Sequence, residues 1–147
     1  MNVCLVTTNK EYQDALSIRK TVFIDEQQVP EELEIDEYEE TATHFVVYDA
    51  EERPVGAGRL RLKGDHAKVE RICVLKERRG EHIGEALMTK LEEVAKTKGI
   101  KGLILNAQTH AEGFYKKLGY HVTSDLFYEA DIPHVEMQKE LLVNQSL

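Results

Sequence analysis

The sequence predicts a mixed α/β fold, a mostly antiparallel sheet flanked by helices, on three observations. Apolar runs at residues 44–48, 55–62 and 67–75 are joined by short polar turns at 49–54 and at Gly64-Asp65, which is the pattern of an antiparallel meander. The third run passes through a basic, glycine-marked turn (Arg78, Arg79, Gly80, Gly84) into a strongly helical segment. That segment leads to the fully apolar run Leu103-Ile104-Leu105, completing a strand–helix–strand unit whose second strand is buried. At 147 residues, 41% hydrophobic and 31% charged, the chain has the size and mixture of one globular domain, residues 1–147.

Residues 2–6 read as a first strand. Thr8 and Glu11 form a Thr-x-x-Glu capping box for a helix with Tyr12, Ala15, Leu16, Val22 and Phe23 at helical spacing, which Pro30 ends or redirects. Residues 25–40 hold nine acidic side chains and no basic one, so that of a net charge of −8 the rest of the chain carries +1. Val29, Leu33, Ile35 and Tyr38 recur there too regularly for a disordered tail, so the stretch reads as a short helix or ordered loop pinned over the core. Most of its carboxylates read as a solvated face, and one or two beside a cleft would attract a cationic amine.

In the meander, Leu60 and Leu62 alternate with Arg59 and Arg61, while Gly56 and Gly58 point to a bulge or a close backbone approach. Ile83, Leu87, Met88, Leu91, Val94 and Ala95 share one face of the central helix, with Lys96 and Lys98 near its negative end before Gly99. Thr109 and Glu112 read as a second capping box, opening a short helix with Ala111, Phe114, Tyr115 and Leu118 that stops at Gly119. Residues 120–122 and 134–141 supply the last strands, with Pro133 leading into the second. Six to seven strands and about four helices result.

The net charge argues against general nucleic-acid binding, which needs a basic surface to displace counterions. No apolar run is long enough to span a bilayer, and the N-terminus lacks a basic-then-apolar leader, so a cytoplasmic location is expected. Cys4 and Cys73 each fall within a strand, without Cys-x-x-Cys spacing, and read as free, mostly buried thiols. The six histidines form no ligand cluster, so no metal is expected.

The order strand, turn, helix leaves unpaired backbone N–H groups and the positive end of a helix dipole at residues 80–85, ready donors for a phosphate. Gly80 and Gly84 read equally as ordinary turn and packing glycines. Neither Gly-Lys-Ser/Thr nor Gly-x-Gly-x-x-Gly is present, which removes the mechanical basis for nucleoside triphosphate or dinucleotide binding.

Arg79-Gly80-Glu81-His82-Ile83-Gly84 resembles the pyrophosphate loop Arg/Gln-x-x-Gly-x-Gly/Ala of the GNAT superfamily of N-acetyltransferases, with His82 in place of the first motif glycine. Backbone donation survives that change, although a left-handed backbone costs His more than Gly. Ala111, Phe114, Tyr115, Gly119 and Tyr120 resemble the family's second pattern, Asn-x-x-Ala-x-x-Phe/Leu-Tyr-x-x-x-Gly-Phe/Tyr, with Gln108 at the Asn position. The string from Arg19 to Gln27, with Glu34-Ile35-Asp36, is similar to one branch of the superfamily, whose N-terminal helical region borders the acceptor site. The resemblance covers essentially the whole chain.

It implies the GNAT acyl-CoA N-acyltransferase fold and an acetyl-CoA-dependent N-acetyltransferase, with acetyl-CoA as cosubstrate, no metal, and a small amine attacking the thioester directly. Arg79, Gly80, Glu81, His82, Ile83, Gly84 and Glu85 would hold the pyrophosphate, and Ile72, Cys73, Val74 and Gln108 the pantetheine arm. Tyr115, at the family's tyrosine position, would protonate the departing thiolate. Periodicity alone makes it a core aromatic. Glu70 is the first candidate base, ahead of Glu26, Asp36 and His134, with a chain of waters as the alternative. Strand alternation sets Glu70 on the face of Ile72 and Val74, and Arg71 reads as a neighbour able to pair with it.

Phe23, Glu26, Asp36 and His134 are the acceptor-site candidates, and His134 reads equally as a partly exposed strand-start histidine. The implied partners are a CoA thioester and the amine, with neither nucleic acid nor membrane, and a homodimer is left open. Two further readings remain. One is a non-catalytic CoA or acyl-CoA-binding regulatory module. The other is an acyltransferase for longer acyl groups, since Val22-Phe23 and the acidic stretch are similar to the autoinducer synthases that share the fold. The acceptor itself is encoded in nothing legible here.

Overall fold

Alternating apolar residues build the sheet where the sequence places them. In a computed structural model, which describes residues 1–141, strands β1 (Asn2–Leu5), β2 (Thr43–Tyr48), β3 (Pro54–Lys63) and β4 (His66–Val74) pair antiparallel in that order. Helix α3 (Ile83–Thr97) then carries the chain across to β5 (Gly102–Gln108), which pairs parallel with β4 as a helical crossover permits. Strand β8 (Ile132–Glu140) pairs antiparallel with β5 on its other side, and β6 (His121–Val122) and β7 (Phe127–Glu129) pair with β8, giving an eight-stranded sheet.

β7 is the strand that the sequence did not suggest. It turns into β8 through Ala130 and Asp131, both left-handed at φ 49° and 62°, where such hairpins ordinarily carry Asn or Gly.

The first helix begins as expected. Glu11 N donates to Thr8 Oγ1 at 3.2 Å, and Thr8 N donates back to the Glu11 carboxylate at 3.1 Å, so α1 (Asn9–Arg19) opens with a complete capping box. It widens into a π-helical turn over Lys20–Glu26 and stops there, ahead of Pro30, which instead caps the single-turn α2 (Glu31–Glu34). The second capping box does not form. The Thr109 carbonyl takes the Glu112 N–H in a 3₁₀ turn, and α4 (Glu112–Lys117) starts without a side-chain cap.

Two apolar layers sandwich the sheet. Ile83, Leu87, Met88, Leu91 and Ala95 of α3 bury against Phe45, Val47, Leu60 and Leu103, and on the opposite face Ala15, Ile18 and Val22 cover Val46, Ala57 and Cys73. Cys73 is buried and Cys4 half-buried, both as free thiols.

The acidic stretch departs in part from a solvated face. Six of its nine carboxylates are exposed, but Glu34, Asp36 and Glu39 turn inward onto two arginines that are 0% exposed, Arg19 and Arg59. Arg19 reaches Glu34 at 2.8 Å and Glu39 at 2.7 Å. Arg59 reaches Asp36 at 2.8 Å, Glu39 at 2.9 Å and Glu70 at 2.8 Å. Burial raises the Glu39 carboxyl, but bonds from Arg19 and Tyr12 outweigh it and hold the group at about 2, whereas burial leaves Glu34 above its ordinary range despite Arg71 and Arg19.

Breaking such a buried network by removing one partner costs far more than the network contributes. Arg59→Met, close in volume but without charge, takes one arginine from each of three carboxylates and leaves the buried cluster with excess negative charge, and is expected to lower stability by about 3–5 kcal/mol. Urea unfolding at pH 7 would show this as a lower midpoint at unchanged slope. A loss under about 1 kcal/mol would mean that water already serves those carboxylates.

Candidate active site

The site exists because β4 and β5 part. They pair only from His66 opposite Gly102 to Val69 opposite Leu105. Beyond that point β4 carries one extra residue, because Arg59 faces Glu70 and Ala57 faces Cys73, leaving Gly58 opposite both Arg71 and Ile72. Arg71 takes a left-handed φ of 59°, and a Cβ at Gly58 would lie 2.7 Å from Ile72 Cδ1, so the glycine makes the close approach that its position in a strand suggested.

The bulge also reverses the expected alternation. Ile72 and Val74 pack with Val69 on the α3 side, while Cys73 joins the α1 side. Glu70 stands beside Arg59 and Arg61, accepting at 2.8 and 3.0 Å, and not on the face of Ile72 and Val74. Arg71 pairs not with Glu70 but with Glu34 at 3.0 Å and Asp36 at 3.3 Å. With Oε1 receiving both arginines, Glu70 is a structural anion first.

Past Leu105, β5 pairs only with β8, and the gap opens into a cavity of about 930 Å³, near the upper end of the roughly 300–1,000 Å³ usual for small-molecule sites. Ile72, Cys73, Val74, Gln108 and Tyr115 line it, as do Arg79, Gly80, His82, Gly84 and Glu85 from the turn before α3 and its first residues. Phe23, Glu26, Asp36, Glu70 and His134 line it as well. Glu81 and Ile83 do not: Glu81 pairs with Arg78 at 3.1 Å, and Ile83 is core at 3% exposure, so each offers only its backbone.

At the loop, Ala86 N donates to the His82 carbonyl at 3.2 Å, while among the described residues the N–H groups of 80–85 have no backbone acceptor. Gly80 turns at φ 85° and His82, the residue before α3, at φ 65°, so His82 does occupy the left-handed position. Gly84 serves packing too, since a Cβ there would lie 3.0 Å from Phe114 Cζ. Turn and packing glycines thus build the donor cradle. The Arg79 guanidinium grips Glu26 through two bonds of 2.8 Å, and its Nε holds the Val74 carbonyl at 3.1 Å. Glu26 and Asp36 are therefore each matched by arginine and offer an amine no unpaired charge.

Tyr115 is both core aromatic and cavity group. It is 8% exposed, edge-on to Phe114 and Tyr120, and burial, with the Cys73 thiol contributing, raises its phenol so that it stays protonated at neutral pH. Gln108 donates to Gln27 Oε1 at 2.8 Å, and its own Oε1 lies 2.7 Å from His110 Nε2, so its amide ties the end of β5 to the N-terminal helical arm. Gln27, His110, Asn106 and Glu129 line the cavity without having been picked out as site residues. Glu129 had no signal because its strand was itself unseen, whereas Gln27 lay inside the Arg19 to Gln27 string.

A sheet split at its centre, with a donor-rich turn at one end of the split and a protonated phenol in its wall, defines an acyltransferase. The chain belongs to the GNAT acetyltransferase family, whose domain model matches residues 7–141. It is 48% identical to the uncharacterized N-acetyltransferase YjcF of Bacillus subtilis over 141 residues, 95% of this chain and 100% of that one. An acyl-CoA N-acyltransferase from Pseudomonas aeruginosa shares the fold at TM-score 0.83 and 23% identity, over 95% of this chain and 99% of the other. An aminoglycoside 6'-N-acetyltransferase complexed with coenzyme A shares it at TM-score 0.77 and 17% identity, over 99% and 100%.

His82 offers a direct test of the loop. A left-handed non-glycine residue costs about 1 kcal/mol, and the 2.6 Å contact of His82 with Glu85 is exposed and screened. His82→Gly is expected to raise the thermal midpoint by about 1–3 °C and to keep CoA binding at least as tight. Loss of CoA binding in this variant would make the imidazole itself a ligand.

Proposed function

We propose that the protein transfers an acetyl group from acetyl-CoA to a small amine by direct attack of nitrogen on the thioester carbonyl. The observation that carries this reading is one cavity whose wall includes the turn of residues 80–85 with its unpaired N–H groups, the parted β4 and β5, the Tyr115 side chain, Phe23 and His134. The pyrophosphate takes the cradle at the start of α3, with the remaining N–H groups of Arg79 reaching phosphate oxygens while its pair with Glu26 is kept. The pantetheine arm lies along the free edges of β4 and β5, pairing as an added strand would. Coenzyme A in the similar aminoglycoside acetyltransferase supports this choice of donor.

As the C–S bond breaks, Tyr115 gives its proton to the thiolate. Burial makes the phenol a weaker acid, but the same apolar surroundings also make the thiolate a stronger base. The size of the cavity, about 930 Å³ with Phe23 and His134 in its wall, favours catalysis over a purely regulatory CoA-binding module, which would need no room beyond the thioester. Free Cys4 and Cys73 agree with work in the reducing cytoplasm.

Two measurements test the proposal. CoA and acetyl-CoA, but not ATP or NAD, should raise the melting temperature, since a ligand at a hundredfold excess over its dissociation constant adds about 2.7 kcal/mol. An equal response to ATP would sink the cofactor assignment. Tyr115→Phe, assayed by thiol release with an amine panel, should lose roughly tenfold or more in turnover while keeping CoA affinity. Unchanged turnover returns Tyr115 to packing alone.

A further inference from the structure

We infer that His134 is the base that deprotonates the acceptor, and that Glu129 is the carboxylate that draws a cationic amine to it. The inference rests on the acetyl-transfer reading and adds the residues and the charge class of the acceptor. His134 is 7% exposed and faces Gln108 in the β5–β8 register, which sets it one strand spacing, about 5 Å, from the edge of the gap. Its Nδ1 lies 2.7 Å from the Ile132 carbonyl oxygen. A carbonyl can only accept, so Nδ1 carries a proton, and in the neutral ring the lone pair is therefore on Nε2. Phe127 stacks on the ring at 5.9 Å and 19°, fixing its plane.

Nε2 stands 3.9 Å from Glu129 Oε2, too far for a hydrogen bond but near enough to stabilise an imidazolium once it forms. Asn106 Nδ2 donates to the other carboxylate oxygen at 2.9 Å and orients it. The remaining cavity carboxylates are committed elsewhere: Glu26 to Arg79, Glu34 to Arg19 and Arg71, Asp36 to Arg59, Glu70 to Arg59 and Arg61. Glu85 sits beside His82 at the cofactor loop. Among the described residues this leaves Glu129, 52% exposed, as the acceptor-end carboxylate without an arginine or lysine.

A primary ammonium meets Glu129 and gives one proton to His134 Nε2. The neutral nitrogen attacks, the N–C bond forms and the C–S bond breaks. Of the three ammonium protons, one stays on the amide, one leaves through His134 to solvent, and one replaces the proton that Tyr115 gives to sulfur. Amines that are protonated in solution therefore need His134. An amine already neutral, such as hydroxylamine, does not.

Transfer to a primary alkylamine from the panel and to hydroxylamine, at neutral pH, separates these roles. His134→Asn should cut kcat/KM for the alkylamine by about 100-fold or more and for hydroxylamine by less than about threefold, with the CoA-induced thermal shift retained. Glu129→Gln should raise KM for the alkylamine about fivefold, more at low salt, with little change in kcat. Equal losses for both amines, or none, would overturn the assignment. Nitrogen-15 spectra of His134 in the CoA-bound protein give a reading independent of turnover: a proton on Nδ1 is expected, and one on Nε2 alone would overturn it. Wild-type protein that binds CoA but acetylates no amine would refute the acetyl-transfer reading instead, with the spectra still deciding the state of His134.

Discussion

Beyond Val69 and Leu105 the two central strands cease to pair, and the site is built from what that parting leaves exposed. In the middle of a sheet, unpaired backbone groups are costly, because each N–H or C=O without a partner forfeits a hydrogen bond it would have made with water. One extra residue in β4 imposes this arrangement. The left-handed backbone at Arg71 costs about 1–3 kcal/mol, and the guanidinium it projects toward Glu34 and Asp36 helps to offset that cost. A ligand with its own amides, laid along those edges, would restore the lost pairing.

The same bulge ties the sheet to the acidic segment. Arg71, Arg59 and Arg19 hold Glu34, Asp36 and Glu39, so a stretch dense in negative charge becomes the packed wall of the cavity. Burying so many ions is tolerable only because the partners satisfy one another, and it makes the wall specific in position more than it makes it stable. Its electrostatic consequence is subtractive: most cavity carboxylates are neutralised in place, and the field an arriving cation meets comes from the few that are not.

The loop and Tyr115 show how one residue answers two demands. Gly84 is small because Phe114 rests on it, and Gly80 is glycine because the chain turns left-handed there, yet together they present a row of free N–H groups. Tyr115 is packed among aromatics as its spacing requires, and the same burial keeps its proton on. At these positions a packing role leaves room for a chemical one.

The sequence by itself determined the meander, the capped first helix, the amphipathic α3, the donor turn and the register of the second motif, because each is set by local periodicity, capping chemistry or fixed spacing. It could not show that Glu70 faces Arg59 and Arg61, because a single extra residue at Arg71 inverts every side chain after it and carries no local signature stronger than Gly58. Nor could it show β7, whose turn at Ala130 and Asp131 lacks the usual residues. Which acidic residues are solvated and which are buried was decided only in the folded chain: charge pairing across 20 or more residues depends on where strands and helices meet, and no spacing along the chain encodes it.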